Sequence, residues 1–418
     1  MGYTHRGQTR QLSPLTVAGF AMTYGVFQEF FATNWTLHGS QSLTGVIGTT
    51  QNGVMYLSMP FLFALFTRRW AHRRQAAASC GVVLACSSFV LSSFSTKAWH
   101  LVMSQGVLAA LGCALIYSPM TLSLGEWWNS SNRAVAYAVT LSCKNIVGSV
   151  CPFLIRALLN KYDFRITMQI WAGVVALSSI LAIWLIPTHP ATISTIMQRP
   201  RTIPWHFLRH QTIYVYSIAI ILQSCGYGIP QTYLAQYASE VIMLSQGSAT
   251  LLLTLFNLPG IASSTFFGYL TDNKRFAMSA ATVTAISATA TSLSAFTMWG
   301  LTEKGSSALL MVFSITFGFF AGGYSATWGG VVNDLEQEAA ANNEAVDSGM
   351  VYGMLNGARG IGYVVGGLVG VPLLRDGGIG TTSSSGFGST YGKLILFTGL
   401  STVFGGWGLL FKWRTSVV

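Results

Sequence analysis

The chain has 418 residues, of which 51% are hydrophobic and only 8% charged, and its formal net charge is +11. A soluble domain carries about 25% charge, so this composition excludes a water-soluble surface; it excludes disorder, coiled coil, collagen and solenoid arrays as well. The basic residues sit in short clusters between apolar runs rather than on one solvated face, which argues against nucleic acid and for a polytopic membrane protein.

A bilayer core of about 30 Å takes about 20 apolar residues per helix. Twelve such spans are predicted, at 12–31, 44–66, 76–95, 100–123, 134–155, 167–186, 212–236, 247–270, 277–298, 306–330, 348–373 and 391–411. The first ten residues are polar and the first apolar run is long enough to remain a span, so no cleavable signal is expected. The longest polar connection, 187–211, contains four prolines and divides the chain six plus six. This predicts an N-terminal bundle over 1–186, a central cytoplasmic loop over 187–211 and a C-terminal bundle over 212–418. Basic turns recur at matching places, ALFTRRWAHRR (64–74) after span two and GYLTDNKRF (268–276) after span eight. With the N-terminus inside, fourteen Lys and Arg fall on inner segments, seven on outer ends and two within spans. Both termini are therefore expected in the cytoplasm. The six cysteines all lie in apolar segments without metal spacing and are read as packing residues.

A charge at bilayer depth costs at least about 2.5–3.5 kcal/mol on insertion scales, so each one marks a candidate site. Lys144 lies mid-span in AVTLSCKNIVGSVCP (138–152), and Arg359 mid-span in GMLNGARGIGYVVGG (353–367). Spans five and eleven are equivalent in a six-plus-six repeat. Two cations at nearly symmetric depths suit a cavity that receives an anion, gripped by the Arg fork and the Lys point charge. The structural alternative pairs them with helix carbonyls or with Glu29, or lets them snorkel. Glu29, near the outer end of span one, is read first as reaching the outer interface. Its second reading is a proton carrier. Among neutral polar groups, Gln223 and Asn257 are the pocket candidates, because Pro259 and Gly260 follow Asn257 and can break the helix. Tyr24, Phe27, Tyr117, Tyr227 and Trp328 are aromatic lining candidates, against the commoner role of packing or interface anchoring. The sequon Asn34-Trp35-Thr36 is a glycosylation candidate. HExxH, GxSxG, P-loop and spaced Cys/His patterns are all missing, so neither enzyme chemistry nor a metal or cofactor is expected.

Several segments together resemble the monocarboxylate-porter branch of the major facilitator superfamily, especially its fungal members. YGVFQEFF (24–31) resembles the family's span-one segment, and TGVIGTTQNGV (44–54) the start of its span two. SQGVLAALGCALIYSPM (104–120) is similar to its span four, with Ala110 in place of one Gly. LGEWWNSSNRAVAYAV (124–139) matches the turn after it at Trp128, Arg133 and Ala136, with Asn129 where a Phe would stand. GYLTDNKR (268–275) resembles the superfamily's G-x-x-x-D-x-x-[GR]-[RK] loop.

The resemblance implies an all-α, twelve-helix secondary transporter in two six-helix bundles, moving small organic acids by alternating access, often with a proton. Fungal relatives are also implicated in the export of secondary metabolites. Gly268, Asp272 and Arg275 would form a conformational loop. The departures are specific. The family's acidic-Gly-Gly opening is replaced by QLSPLTVAGF (11–20), and Ala64 and Arg68 stand at the Gly and Asp of the first half-loop. The family's Arg after the span-eight Asn is missing, with Ser263 and Ser264 near its place. Its loss argues against simple proton–lactate symport and favours export of an acidic or hydrophobic metabolite, with proton-coupled uptake as the alternative. A monomer in the plasma membrane is the default. A non-transporting sensor is disfavoured by the short termini and central loop.

Overall fold

The computed structural model describes residues 15–34, 38, 43–68, 70–127, 130–185, 205–272, 278–375 and 385–411. Among these residues the regular elements are helices, with one isolated bridge between His38 and Lys97. Helix α1 is Leu15–Thr33, α2 is Thr44–Arg68 and α3 is Arg74–Ser93. Helix α4 runs through Ala98–Leu101, a π-helical stretch Val102–Leu108 and Ala109–Trp127. The segment Ser130–Leu185 breaks at Asp163 into α5 (130–162) and α6 (164–185). Helix α7 is Gln211–Glu240, and α8 is Gln246–Asn257 followed by Pro259–Asp272. Helix α9 is Ala280–Leu293 with a π-helical end, Ser294–Trp299. Helix α10 passes from Ser307–Tyr324 through the 3-10 turn Ser325–Thr327 to Trp328–Ala341. Helices α11 and α12 are Ser348–Arg375 and Gly392–Phe404.

Helices are the form that satisfies the backbone of such apolar runs internally, as a membrane core demands. Their starts use ordinary caps. Ser245 Oγ accepts from the Ser248 amide at 3.3 Å, Ser279 Oγ from Thr282 at 3.2 Å, and Asp347 Oδ1 from Met350 at 3.1 Å. Seven helical segments among the described residues are long and apolar enough to cross a membrane. Large apolar side chains such as Val83, Leu177, Leu368 and Leu410 face outward. An exterior of that kind suits lipid.

The most extensive contacts between the earlier helices and the later ones are those of α1 on α7, α2 along α11, and α5 against both pieces of α8. The α2–α11 contact is backbone to backbone. A Cβ on Gly360 would strike the backbone of Leu57 and Gly53. Small residues permit this approach, and close approach is what holds helices together where lipid gives no hydrophobic drive.

Three boundaries differ from the sequence reading. Helix α5 continues past 155, so Arg156, counted there as an outer-end charge, lies inside the protein at 6% exposure. Helix α10 continues past 330, so Asp334, Glu336 and Glu338 are helical rather than in a loop. The interruption expected near Asn257 falls at Leu258, where Pro259 supplies no amide hydrogen. Five cysteines among the described residues are free thiols.

Asp163 has φ 68° and ψ 169°, a conformation essentially reserved for glycine. Asp163→Gly is expected to raise the melting temperature in detergent, by relieving on the order of 1 kcal/mol of strain. Gly360→Val should lower it through overpacking worth about 1–3 kcal/mol. An unchanged melt in either variant contradicts the geometry that motivates it.

Candidate functional site

Lys144 on α5 and Arg359 on α11 are brought to the same side chain. Lys144 Nζ donates to Tyr56 Oη at 3.1 Å, and Arg359 Cζ lies 5.0 Å from the centre of the Tyr56 ring. Three more rings surround the guanidinium: Tyr227 at 5.6 Å, Trp328 at 5.7 Å and Tyr363 at 5.7 Å. Tyr363 stands one helical turn beyond Arg359 on the same face. Its ring stacks with Tyr56 at 6.0 Å and 20°, and meets Tyr227 edge-on at 6.1 Å and 88°. The cage thus takes side chains from α2, α5, α7, α10 and α11.

Both cations are almost fully buried, at 9% exposure for Lys144 and 6% for Arg359. Among the described residues neither has a carboxylate within salt-bridge distance. Arg359 Nε and Trp328 Nε1 have no hydrogen-bond partner there. A desolvated cation–π contact is worth about 2 kcal/mol, whereas a buried charge costs several kcal/mol even after relaxation. Aromatic faces soften that cost without cancelling it, and they cannot accept the N–H bonds of a guanidinium fork. An anion supplies both the missing charge and the missing acceptors.

The other predicted residues are spread along the helix seams. Asn257 Nδ2 donates to the Gly148 carbonyl at 3.2 Å and to Leu253 at 2.8 Å, tying α8 to α5 one turn from Lys144. Its Oδ1 has no hydrogen-bond partner among the described residues. Tyr24 is buried and donates to the Thr44 carbonyl at 2.6 Å, a link from α1 to α2. Gln223 is buried against Gly405, beyond α12. Tyr117 is half-buried against the core. Gly268 is buried in the last turns of α8, where Thr271 Oγ1 bonds its carbonyl at 2.8 Å. The Asp272 side chain and Arg275 lie outside the described residues. Asn34 is exposed just after α1, while Trp35 and Thr36 lie outside the described residues.

Glu29 does not reach an interface. It is fully buried and pairs with Arg156 Nη2. That pairing removes one structural alternative for Lys144 and Arg359, because the acid is already engaged with another cation. Reading by residue missed Tyr56, Tyr363 and Arg156. Tyr363 carried a signal in its i+4 spacing from Arg359; Tyr56 carried none.

Residues 15–367 match the family model described as Major Facilitator Superfamily. The chain belongs to the Major Facilitator Superfamily. It is a multi-pass membrane transporter of that superfamily, whose members are generally not enzymes. An MFS-type transporter of Gibberella moniliformis is 26% identical over 384 residues, covering 90% of this chain and 83% of its own. Monocarboxylate transporter 12 of Xenopus laevis is 25% identical, covering 59% of this chain and 58% of its own. The MFS-type transporter pynF of Aspergillus niger is 23% identical, covering 85% and 76%. The facilitator therefore spans most of these two fungal relatives but under two thirds of that monocarboxylate transporter, in agreement with the family resemblance seen in its motifs.

If the two cations serve a ligand rather than the fold, removing one should not cost stability. Arg359→Met and Lys144→Met are each expected to hold or raise the melting temperature of the facilitator in detergent. Uncompensated buried charge is a burden that apolar side chains of similar volume relieve, by about 1 kcal/mol or more. A drop of several degrees in both would mark the cations as structural.

Proposed function

We propose that the facilitator carries a small amphipathic organic anion, a monocarboxylate or an acidic secondary metabolite, by alternating access. One observation carries this reading: two buried cations flank Tyr56 with no carboxylate partner among the described residues. Arg359 grips the anionic group with its fork, Lys144 adds a point charge, and the rings of Tyr227, Trp328 and Tyr363 receive the apolar body of the substrate. Its relatives, monocarboxylate transporters among them, support the same class.

In this cycle residues 1–186 and 212–418 rock as two bundles about the midplane, joined by 187–211. The loop carrying Gly268, Asp272 and Arg275 steadies one conformation. Asn257 and Tyr24 hold the helices that frame the site. The facilitator works as a monomer in the plasma membrane, with both termini in the cytoplasm. Export is the preferred direction, because the family's Arg, linked to substrate or proton handling in its lactate-transporting members, is missing, with Ser263 and Ser264 near its place. Proton-coupled uptake is the second reading, with Glu29 as the proton-bearing group released from Arg156.

Proteoliposomes loaded with labelled monocarboxylates and hydrophobic acids test the proposal under an imposed pH gradient. Wild type is expected to show saturable flux. Arg359→Ala and Lys144→Ala are expected to reduce it at least tenfold, since each removes a charged hydrogen bond worth about 1.5–3 kcal/mol. Full flux in both folded variants, or saturable flux of neutral compounds alone, would overturn the anion reading.

A further inference from the structure

A second buried polar cluster lies at the end of the molecule that carries Thr33, Glu240 and Tyr391. Arg156 Nη2 pairs with Glu29 there, and Arg156 Nε donates to Thr250 Oγ1 at 3.1 Å. Alongside, Gln28 Nε2 donates to Gln236 Oε1 at 3.1 Å. Gln236 Nε2 in turn donates to Glu240 Oε1 at 2.8 Å, and Tyr391 Oη to Glu240 Oε2 at 2.6 Å. Glu29, Arg156 and Gln236 are buried, at 0%, 6% and 8% exposure.

The bonds fall into two kinds. Those that involve a carboxylate stay within one half of the chain: Glu29 to Arg156 joins α1 to α5, and Glu240 to Tyr391 joins α7 to the start of α12. Those between the halves are weaker, a guanidinium to a neutral hydroxyl and an amide to an amide. A seam built this way separates without breaking a buried ion pair.

We propose that the Arg156–Thr250 and Gln28–Gln236 bonds are a latch that closes this end of the facilitator, and that Glu29 is a positioning residue holding Arg156 toward Thr250. The proposal rests on the alternating-access reading above but not on the identity of the substrate. Glu29 fixes one edge of the guanidinium, which leaves Nε aimed at α8. Oε1 of Gln28, Oε1 of Glu29 and Nη1 of Arg156 are enclosed without a hydrogen-bond partner among the described residues. Opening the end supplies water to all three, so the closed state holds by a narrow margin.

The test uses pairs of nitroxides at Asn34→Cys and Met243→Cys, two exposed positions at this end on opposite sides of the seam, with the six native cysteines replaced by Ser. Pulsed electron–electron distance measurement is made on reconstituted protein without substrate. Thr250→Val combined with Gln236→Leu is expected to raise the ratio of long to short distances at least fivefold. Thr250→Ser, which keeps the hydroxyl, is expected to leave it near wild type. Glu29→Gln should shift it in the same direction as the double variant, by less. An unchanged distribution in the folded double variant overturns the latch. Because the readout needs no substrate, a missing acid flux with a shifted distribution removes the anion reading alone. Intact acid flux with an unmoved distribution removes the latch alone.

Discussion

Everything at the centre of this facilitator turns on Tyr56, one side chain approached by two cations. Lys144 meets its hydroxyl and Arg359 lies over its ring, so the phenol is polarised from its edge and its face together. Each cation alone is costly at this burial, and two near one ring repel each other. A fold could remove the cost by placing an acid there. The described residues place none, and the buried acid Glu29 is given to Arg156 instead. Among the described residues, Glu29 and Arg156 thus form a buried pair of opposite charges, and Lys144 and Arg359 a buried pair of like charges with no carboxylate beside it. The first can hold structure; the second is useful only if something else completes it.

The seams between early and late helices show the same division of labour. Along α2 and α11, glycines at 53 and 360 bring backbones together, and Tyr56 stacks on Tyr363 across the same seam, so the packing is dense and without a buried ion pair among the described residues. Along α5 and α8 the ties are single hydrogen bonds: Ser142 Oγ to the Ile261 carbonyl at 2.9 Å, Thr254 Oγ1 to Ser149 at 2.8 Å, and Arg156 to Thr250. A neutral hydrogen bond is worth about 0.5–1.5 kcal/mol net, and one made by a charged group about 1.5–3 kcal/mol. A few of them match the few kcal/mol by which two conformations of one protein commonly differ. A buried ion pair, which costs about 3–5 kcal/mol when one partner is left buried and unpaired, would be a costlier tie to part in every cycle. Strong bonds within a body and weak bonds across the seam are what a rocking carrier requires.

The sequence made the membrane fold plain because apolar runs of this length have few other fates. It located Lys144 and Arg359 for a related reason: in a chain with so few charges, one at mid-span stands out. It did not distinguish Arg156, whose apparent place after the fifth span rested on where hydropathy fades rather than on where the helix stops. Hydropathy reports partition, and a charged side chain at the end of a helix can turn inward when a neighbouring acid waits for it. Glu29 was misread as an interface residue for the complementary reason. Pairing partners 127 positions apart leave no mark on local composition. Tyr56 is harder still, since an aromatic in a membrane helix usually packs or anchors, and only the approach of α2 to α11 gives this one its role.

The cage and the seam are connected by where their parts reside. Lys144 and Tyr56 belong to the early helices, and Arg359, Tyr227, Trp328 and Tyr363 to the late ones. An anion held by Lys144 and Arg359 together would bond across the seam, adding attraction where the two cations alone repel each other. A ligand shifts a conformational equilibrium only by its difference in affinity for the two states. A carboxylate that reaches both cations only when the helices close has that difference built into its charge. An apolar solute of the same shape would gain the rings but lack the bridge. Charge rather than shape would then decide whether the facilitator turns over, and the aromatic faces would decide which acids stay long enough to be carried.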